Sequence, residues 1–318
     1  DEVGYALVDR NQVNIDPVAA HANAVREAVR MIQVSQCHVV GALPGQTVVI
    51  RYPRLRNISA DKIDAAVQAE AGQNIPYDLA EVFLDWSLLE QEGEGDQKQF
   101  KVLLVAAKHE VIDSRVQIAG AAEVQYGVLS VDSLALADAA EGCDFLRVGE
   151  TVALINIGAS SVSIHFTRDG ISNFIRDVSW GARELIQAIA KSRRSDYEEA
   201  ERTLYRIEDE LAKNAPASES VEADVKDEFP KNSASLLEPL DDELGALGDA
   251  DLDTGHDIGG VGAKEEQDIA EVLSIPIARL VSEIRRSFDY YEHQLYERPV
   301  DRIILSGGVA HISLIRNA

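Results

Sequence analysis

Between Thr151 and Val178, three strand-length runs follow one another with almost no chain between them. Val152–Ile157 is apolar apart from Asn156, Gly158-Ala159-Ser160 makes a tight turn, and Ser161–Thr167 is the second run. Asp169-Gly170 is a two-residue hairpin signal, since both residue types accept the positive φ such turns require. It leads into Ser172–Val178. Gly181 then opens a helix with Leu185, Ile186 and Ile189 on its apolar face. Three meandering strands followed by a helix make a compact α/β unit.

The first half alternates in the same way. Asp16-Pro17 pairs an N-cap with proline at the first helical position. Val18, Ala22, Val25, Val29 and Ile32 continue at helical spacing to about Gln33. Cys37–Leu43 reads as a buried strand stopped by Pro44-Gly45, and Thr47–Tyr52 as a second. Ser59 opens a helix carrying Ile63, Ala66 and Val67. Val82–Leu89 and Phe100–Ala106 are strands around the polar loop Glu92–Asp96. Val111–Ala119 is helical, Gly127–Val131 a strand and Ser133–Ala140 a helix. The halves meet near Glu141–Gly149.

From about Asn214 to Gly262 the chain turns acidic, with no Lys or Arg between Lys231 and Lys264. Such a composition does not offset its own ordering entropy and reads as a mobile insertion. Asp249–Asp257 looks superficially like a calcium loop, but an EF-hand needs Gly at position six and Glu at twelve. Starting at Asp249 those positions are Thr254 and Gly260; starting at Asp251 they are His256 and Gly262. Beyond the insertion, Glu265–Tyr296 is a long helical stretch containing Pro276, and Arg302–Leu305 is a short strand.

Composition removes several classes of function. With 30 Lys+Arg against 55 Asp+Glu, the formal charge is −25 over 318 residues. A polyanion without a basic patch repels nucleic-acid phosphates and anionic headgroups. Cys37 and Cys143 have no metal or disulfide spacing, which suits a reducing compartment. The apolar runs are strand-length, too short to span a bilayer. A start at Asp1, without methionine or a signal-peptide pattern, is the start expected of a trimmed chain. Trp180, His109 and His165 read as packing, surface or strand-face residues, and Arg285-Arg286 as a solvated helix face.

Two glycine turns offer chemistry. In Ile155–Ser161, Gly158 and Ala159 let backbone N–H groups approach an anion, and Ser160 and Ser161 add hydroxyls. In Ile304–Ala310, Gly307 and Gly308 make a strand-to-helix turn suited to a phosphate or an adenine face. Both lie in the second half and flank the long helical region, so together they suit a nucleotide gripped from two sides.

The sequence resembles the PilM branch of the actin-like ATPases, relatives of the division protein FtsA. In the first half the resemblance rests on Val40–Arg51 and on Glu70–Tyr77 with Glu81-Val82. In the second half it rests on Asn156–Ser161, Arg168–Gly170 through Trp180-Gly181, Ser282–Ser287 and Leu305–Ala310. It implies an α/β actin-like ATPase fold, two lobes around a nucleotide cleft, with a PilM/FtsA-type inserted subdomain in the first lobe. The first lobe would span 1–145, with the inserted protein-contact subdomain at about 42–131. The second would span 146–318, interrupted at about 214–262.

ATP with Mg²⁺ is the implied cofactor. Asn156–Ser161 would be the second phosphate loop and Gly307-Gly308 the adenosine loop. Gly181 follows the strand meander at the same site. Glu201 would approach the ribose or adenine edge, and Glu184 is a weaker candidate for that role. The implied function is a scaffold of type IV pilus assembly on the cytoplasmic face of the inner membrane. It would bind the cytoplasmic N-terminal peptide of a PilN-like membrane protein, with Gln73–Tyr77 facing the partner. Other inner-membrane pilus components are implied partners, without direct membrane insertion; self-association stays open.

Three departures bear on catalysis. The Asp-x-Gly turn of the first phosphate loop is absent from the chain, Asn156 stands where an Asp steadies the Mg²⁺ shell, and Leu204 stands where a basic residue is usual. Asparagine keeps a carbonyl acceptor but loses the charge that holds a hard cation. A weak ATPase or a pseudo-ATPase is therefore expected. The alternatives are an active ATPase or small-molecule kinase, and an FtsA-like polymerising protein.

Overall fold

A computed structural model describes residues 3–32, 38–93, 98–214 and 261–318; for 207–214 and 261–268 it describes the backbone alone. The acidic insertion, the Asp249–Asp257 stretch, Cys37 and most of the Glu92–Asp96 loop lie outside the described residues.

The chain opens with a single helical turn, α1 (Arg10–Val13), capped by Asp9. Helix α2 (Pro17–Arg30) is capped by Asp16, whose carboxylate accepts from the Ala19 N–H at 2.9 Å. It ends three residues before Gln33. Strand β1 (Val39–Leu43) follows, then β2 (Val48–Arg51), β3 (Arg54–Arg56) and α3 (Ile63–Asn74). Next come β4 (Val82–Glu92), β5 (Gln99–Lys108), α4 (His109–Ala121), β6 (Tyr126–Val131) and α5 (Asp132–Gly142).

Strand β5 organises the inserted sheet. It pairs antiparallel with β4 along one edge, and with β2 and β3 in succession along the other. Ile63, Val67 and Ala71 of α3 pack on this sheet against Phe100, Val102 and Leu104. Strands β1 and β6 form a separate parallel pair.

The second lobe contains the meander read from its turns. Strands β7 (Thr151–Ile157), β8 (Val162–Arg168) and β9 (Ile171–Val178) run antiparallel in that order. Asp169 and Gly170 both take positive φ at the hairpin. Helices α6 (Ala182–Arg193), α7 (Tyr197–Asn214) and α8 (Val261–Asp289) follow, and a π-helical turn, Tyr290–Gln294, closes α8. Strand β10 (Arg302–Ser306) adds parallel to β7, and α9 (Ser313–Arg316) is one turn.

One face of this sheet carries Ala153, Ile155, Ile157, Ile164 and Phe166 against Leu185, Ile189, Leu273 and Leu280. Each large side chain buried there contributes about 1.5–3 kcal/mol. Trp180 is in this core, as its sequence context suggests, and its indole N–H donates to the Pro276 carbonyl at 2.9 Å. Helix α8 runs continuously through Pro276. The opposite face carries Val152 and Leu154 against Ala137 and Ala140 of α5, which places α5 beneath the sheet.

His165 takes the strand-face alternative and is enclosed there. It lies on the α5 side of β8, fully enclosed, bonded to the Ser133 carbonyl at 3.0 Å and the Ser172 hydroxyl at 2.8 Å. Burial pushes it down to about 4, and the Ser133 carbonyl offsets part of that shift. The folded chain keeps the ring neutral where the unfolded chain takes up a proton. Stability is therefore present above about pH 6.5 and is lost as pH falls toward 4. The loss expected is about 2–3 kcal/mol by pH 4.5, and His165→Gln removes it. Urea midpoints of both proteins from pH 7 to 4.5 check this; parallel slopes would contradict it.

Candidate functional site

The two glycine turns meet at one end of the second-lobe sheet because β7 and β10 are parallel neighbours. Ser306 stands in register with Asn156, Asn156 with Ser163, and Ser163 with Asp177. A polar row therefore crosses all four strands on the face that α5 covers. The Ser306 hydroxyl donates to the Asn156 side-chain carbonyl at 3.4 Å.

The Gly158–Ser161 turn is closed by the Gly158 N–H donating to the Ser161 carbonyl at 2.9 Å. Ala159 and Ser160 are exposed at its crest, and Ser161 is half-buried. The turn rests on the start of α6: the Ala182 N–H donates to Gly158 O at 3.1 Å and the Arg183 N–H to Ala159 O at 3.0 Å. These helix-start donors steady the turn and are already bonded, so Ser160 and Ser161 carry what remains for an anion.

Gly181 lies buried under the turn and does not face the cleft. A Cβ there would stand 2.5 Å from backbone atoms of Ala159 and Ser160. Its role is close packing beneath the loop. Gly307 takes φ +99°, and a Cβ there would stand 2.3 Å from Ile157 O and 2.6 Å from Asn156 Oδ1. Gly308 is exposed, with open space around it. The strand-to-helix reading of this turn is corrected: α9 begins only at Ser313 and is too short to present an anion site.

The two glutamates are engaged by arginines. Glu184 pairs with Arg279 of α8 at 3.4 Å. Glu201 pairs with Arg10 of α1 at 3.2 Å, and Arg10 also lies over the Tyr197 ring. Leu204 points into the core with Ala200, Leu185 and Ile189, so its departure from a basic residue is a packing matter.

Residues that the sequence reading did not select complete the cleft. Asp132 opens α5 and accepts from the Gly45 N–H at 3.0 Å. Asp177 ends the polar row and lies against the other side of Gly45. Burial and the neighbouring Asp132 charge push Asp177 up to about 6. Gln46 donates to the Ser179 hydroxyl at 3.2 Å, and the Tyr52 and Ser172 hydroxyls meet at 2.7 Å. Between these two ties, β2 and β9 border a groove of about 860 Å³ that opens onto Gly45 and Asp177.

A separate surface forms where the inserted sheet meets α4. Tyr77 is 40% exposed and Phe83 50% exposed. The His109 ring packs edge-on against Phe83 at 4.3 Å, and the Lys108 ammonium sits 4.5 Å above the Tyr77 ring. Val116, two turns along α4 from His109, is also exposed. Among the described residues, no helix is long and apolar enough to cross a membrane, and no cluster of three or more His, Cys, Asp or Glu gathers.

Among solved structures, the chain is similar to the PilM-PilN type IV pilus biogenesis complex, with a TM-score of 0.66 and 19% identity. The match covers 95% of this chain and 71% of that one. The ethanolamine utilization protein EutJ from Carboxydothermus hydrogenoformans matches at TM-score 0.37 and 13% identity, over 64% of this chain and 51% of its own. The cytoplasmic domain of EpsL, from the type II secretion system of Vibrio cholerae, matches at 0.36 and 10%, over 57% and 61%. The fold is thus the actin-like ATPase fold, two lobes with an inserted subdomain in the first. The family of the type IV pilus assembly protein PilM matches residues 4–219, about two thirds of the sequence, and the chain belongs to that family.

Proposed function

We propose that this protein is a cytoplasmic scaffold of type IV pilus assembly that captures the N-terminal peptide of a PilN-like inner-membrane protein. The capturing surface is the face bearing Tyr77, Phe83, His109 and Val116 on the first lobe. The observation that carries this reading is an exposed aromatic pair beside Lys108 in a family whose solved relative is a PilM-PilN complex. Exposed aromatics of this kind anchor peptides because they bury large area at low entropic cost. Tyr77, 40% exposed, is the member of this face that belongs to the Gln73–Tyr77 segment.

The cleft is proposed to take ATP. Gly308 leaves room for a base or ribose, Gly307 brings the β10 turn against Asn156, and Ser160 and Ser161 supply donors for phosphate. Glu201 and Glu184 would reach a nucleotide only by loosening their arginine pairs. Mg²⁺ carried by ATP would find a neutral amide at Asn156, which favours binding over hydrolysis. Nucleotide then sets the lobe geometry that the peptide reads.

The test is calorimetric titration of the partner's cytoplasmic N-terminal peptide into the full chain. Tyr77→Ala with Phe83→Ala is expected to weaken binding by at least tenfold at unchanged circular dichroism. Equal affinity in the double variant would overturn the assignment of this face.

A further inference from the structure

Two titratable side chains with no part in the peptide face or the nucleotide site, Tyr52 and His165, meet on one hydroxyl. Ser172 Oγ lies 2.7 Å from the Tyr52 hydroxyl and 2.8 Å from His165 Nε2, and His165 Nδ1 lies 3.0 Å from the Ser133 carbonyl. A carbonyl oxygen only accepts, so Nδ1 carries the ring proton. Burial keeps the ring neutral, so Nε2 is bare and accepts from Ser172. Ser172 has one hydroxyl hydrogen and gives it to the ring, which leaves Tyr52 as the donor to Ser172. Burial also pushes the Tyr52 phenol up, so its proton stays on. The proton order is thereby fixed from Tyr52 through Ser172 and His165 to Ser133.

The chain of bonds closes on itself. The Ser133 N–H donates to Asp132 Oδ1 at 2.7 Å, and the same oxygen accepts from the Gly45 N–H at 3.0 Å. Gly45 and Tyr52 are the two ends of the segment that carries β2. They are joined on one side by that segment and on the other through β9, β8 and α5. Both line the groove bordered by β2 and β9, strands that pair in different sheets. The Tyr52–Ser172 bond is the link between half-buried residues at this groove, whereas His165 and Ser133 are 1% and 2% exposed.

We propose that the Tyr52–Ser172 bond is a latch on this groove, and that the ring of bonds makes the two ends of the β2 segment, Tyr52 and Gly45, loosen and tighten together. Unlatching costs little, because the Tyr52 hydroxyl exchanges Ser172 for water in the groove while Ser172 keeps its bond to His165. Bonds ordered in one direction reinforce one another, so loss of the Tyr52 donor weakens the Ser172–His165 bond as well. The freed β2 segment is short and extended, and its movement reaches Gly45 and the Asp132 oxygen that holds it. The latch involves neither nucleotide nor peptide and stands whether or not either binds as proposed.

The experiment is amide hydrogen exchange on the full chain, free of nucleotide and peptide. Tyr52→Phe removes the latch hydroxyl and keeps the aromatic ring. Exchange is expected to rise about tenfold at residues 45–47 as well as at 50–52 and 171–173. Thr167→Val, which removes a buried β8 hydroxyl bonded to the Val152 carbonyl outside the ring of bonds, leaves 45–47 unchanged. Histidine ¹⁵N resonance gives a second readout: His165 is protonated on Nδ1 in wild type. Its Nε2 signal is displaced in Ser172→Ala and also in Tyr52→Phe, although Tyr52 is bonded to Ser172 and not to the imidazole. A rise confined to 50–52 and 171–173 would overturn the proposal, since the bond would then be a local contact. So would an equal rise at 45–47 in Thr167→Val, or an Nε2–H tautomer, which reverses the proton order.

Discussion

Gly307→Ala is expected to lower stability by about 3 kcal/mol, whereas Gly308→Ala changes it by less than about 0.5 kcal/mol. The residues are adjacent, so the contrast isolates geometry. At Gly307 the backbone has φ +99°, and the added methyl would fall 2.3 Å from a carbonyl oxygen of β7. Backbone atoms of a central strand cannot yield as a flexible side chain would, so β10 must separate from β7 and carry Ser306 away from Asn156. At Gly308 the methyl meets nothing within 4 Å. Urea midpoints of the two variants check this, and near-equal midpoints would contradict the placement of the turn. The same displacement should weaken nucleotide binding in Gly307→Ala alone.

Glu297→Ala is expected to cost about 3–5 kcal/mol, because it leaves the buried Lys101 ammonium short of its anion. Glu297 has a side chain 7% exposed and lies within 2.9 Å of Arg54, 3.2 Å of Arg168 and 3.8 Å of Lys101. Arg54 and Lys101 belong to the inserted sheet, while Arg168 belongs to β8 of the second lobe. Lys101 is itself nearly enclosed and its ammonium makes no hydrogen bond, so burial holds its pKa down. Without Glu297, only Glu90, 3.2 Å from Arg168, stays to balance three cations. The loss should appear in urea midpoints, with the inserted sheet loosening from the second lobe. A loss below about 1 kcal/mol would show that the clasp is solvated and the lobes are held by other contacts.

The legible parts of this fold were those set by local chemistry. Asp169-Gly170 dictates a hairpin wherever it falls between apolar runs, and Asp16-Pro17 dictates a helix start. The meander from Thr151 to Val178 and helix α2 followed from those residues. The end of α2 was less legible: the apolar spacing runs on to Ile32, while the helix stops at Arg30. The Tyr290–Gln294 turn was hidden because its residues carry ordinary helical propensity.

At the site, the sequence led to the glycine turns, since glycine marks close approach of backbone. It did not lead to Asp177, Asp132 or Gly45. The Asp169-Gly170 hairpin alone would set Ser163 opposite Arg176; a register shift between Phe166 and Thr167 brings Asp177 there instead, and no local pattern announces that shift. Asp132 and Gly45 come from the other lobe, and no local pattern reports which residues two lobes bring together. The enclosure of His165 on its strand face was illegible for a related reason: the α5 turn that covers it lies 32 residues earlier. Gly181 was assigned to the cleft when its tight contact is with the loop above it.

The most direct test of the scaffold reading is amide hydrogen exchange on the full chain, with and without saturating PilN-type N-terminal peptide. Slower exchange is expected across residues 75–83 and 108–116, where Tyr77, Phe83, Lys108, His109 and Val116 form one surface. Exchange in β7 and β8 should be unchanged. Protection confined to the second lobe, or none anywhere at saturating peptide, would contradict the assignment of the first lobe as the partner-binding face.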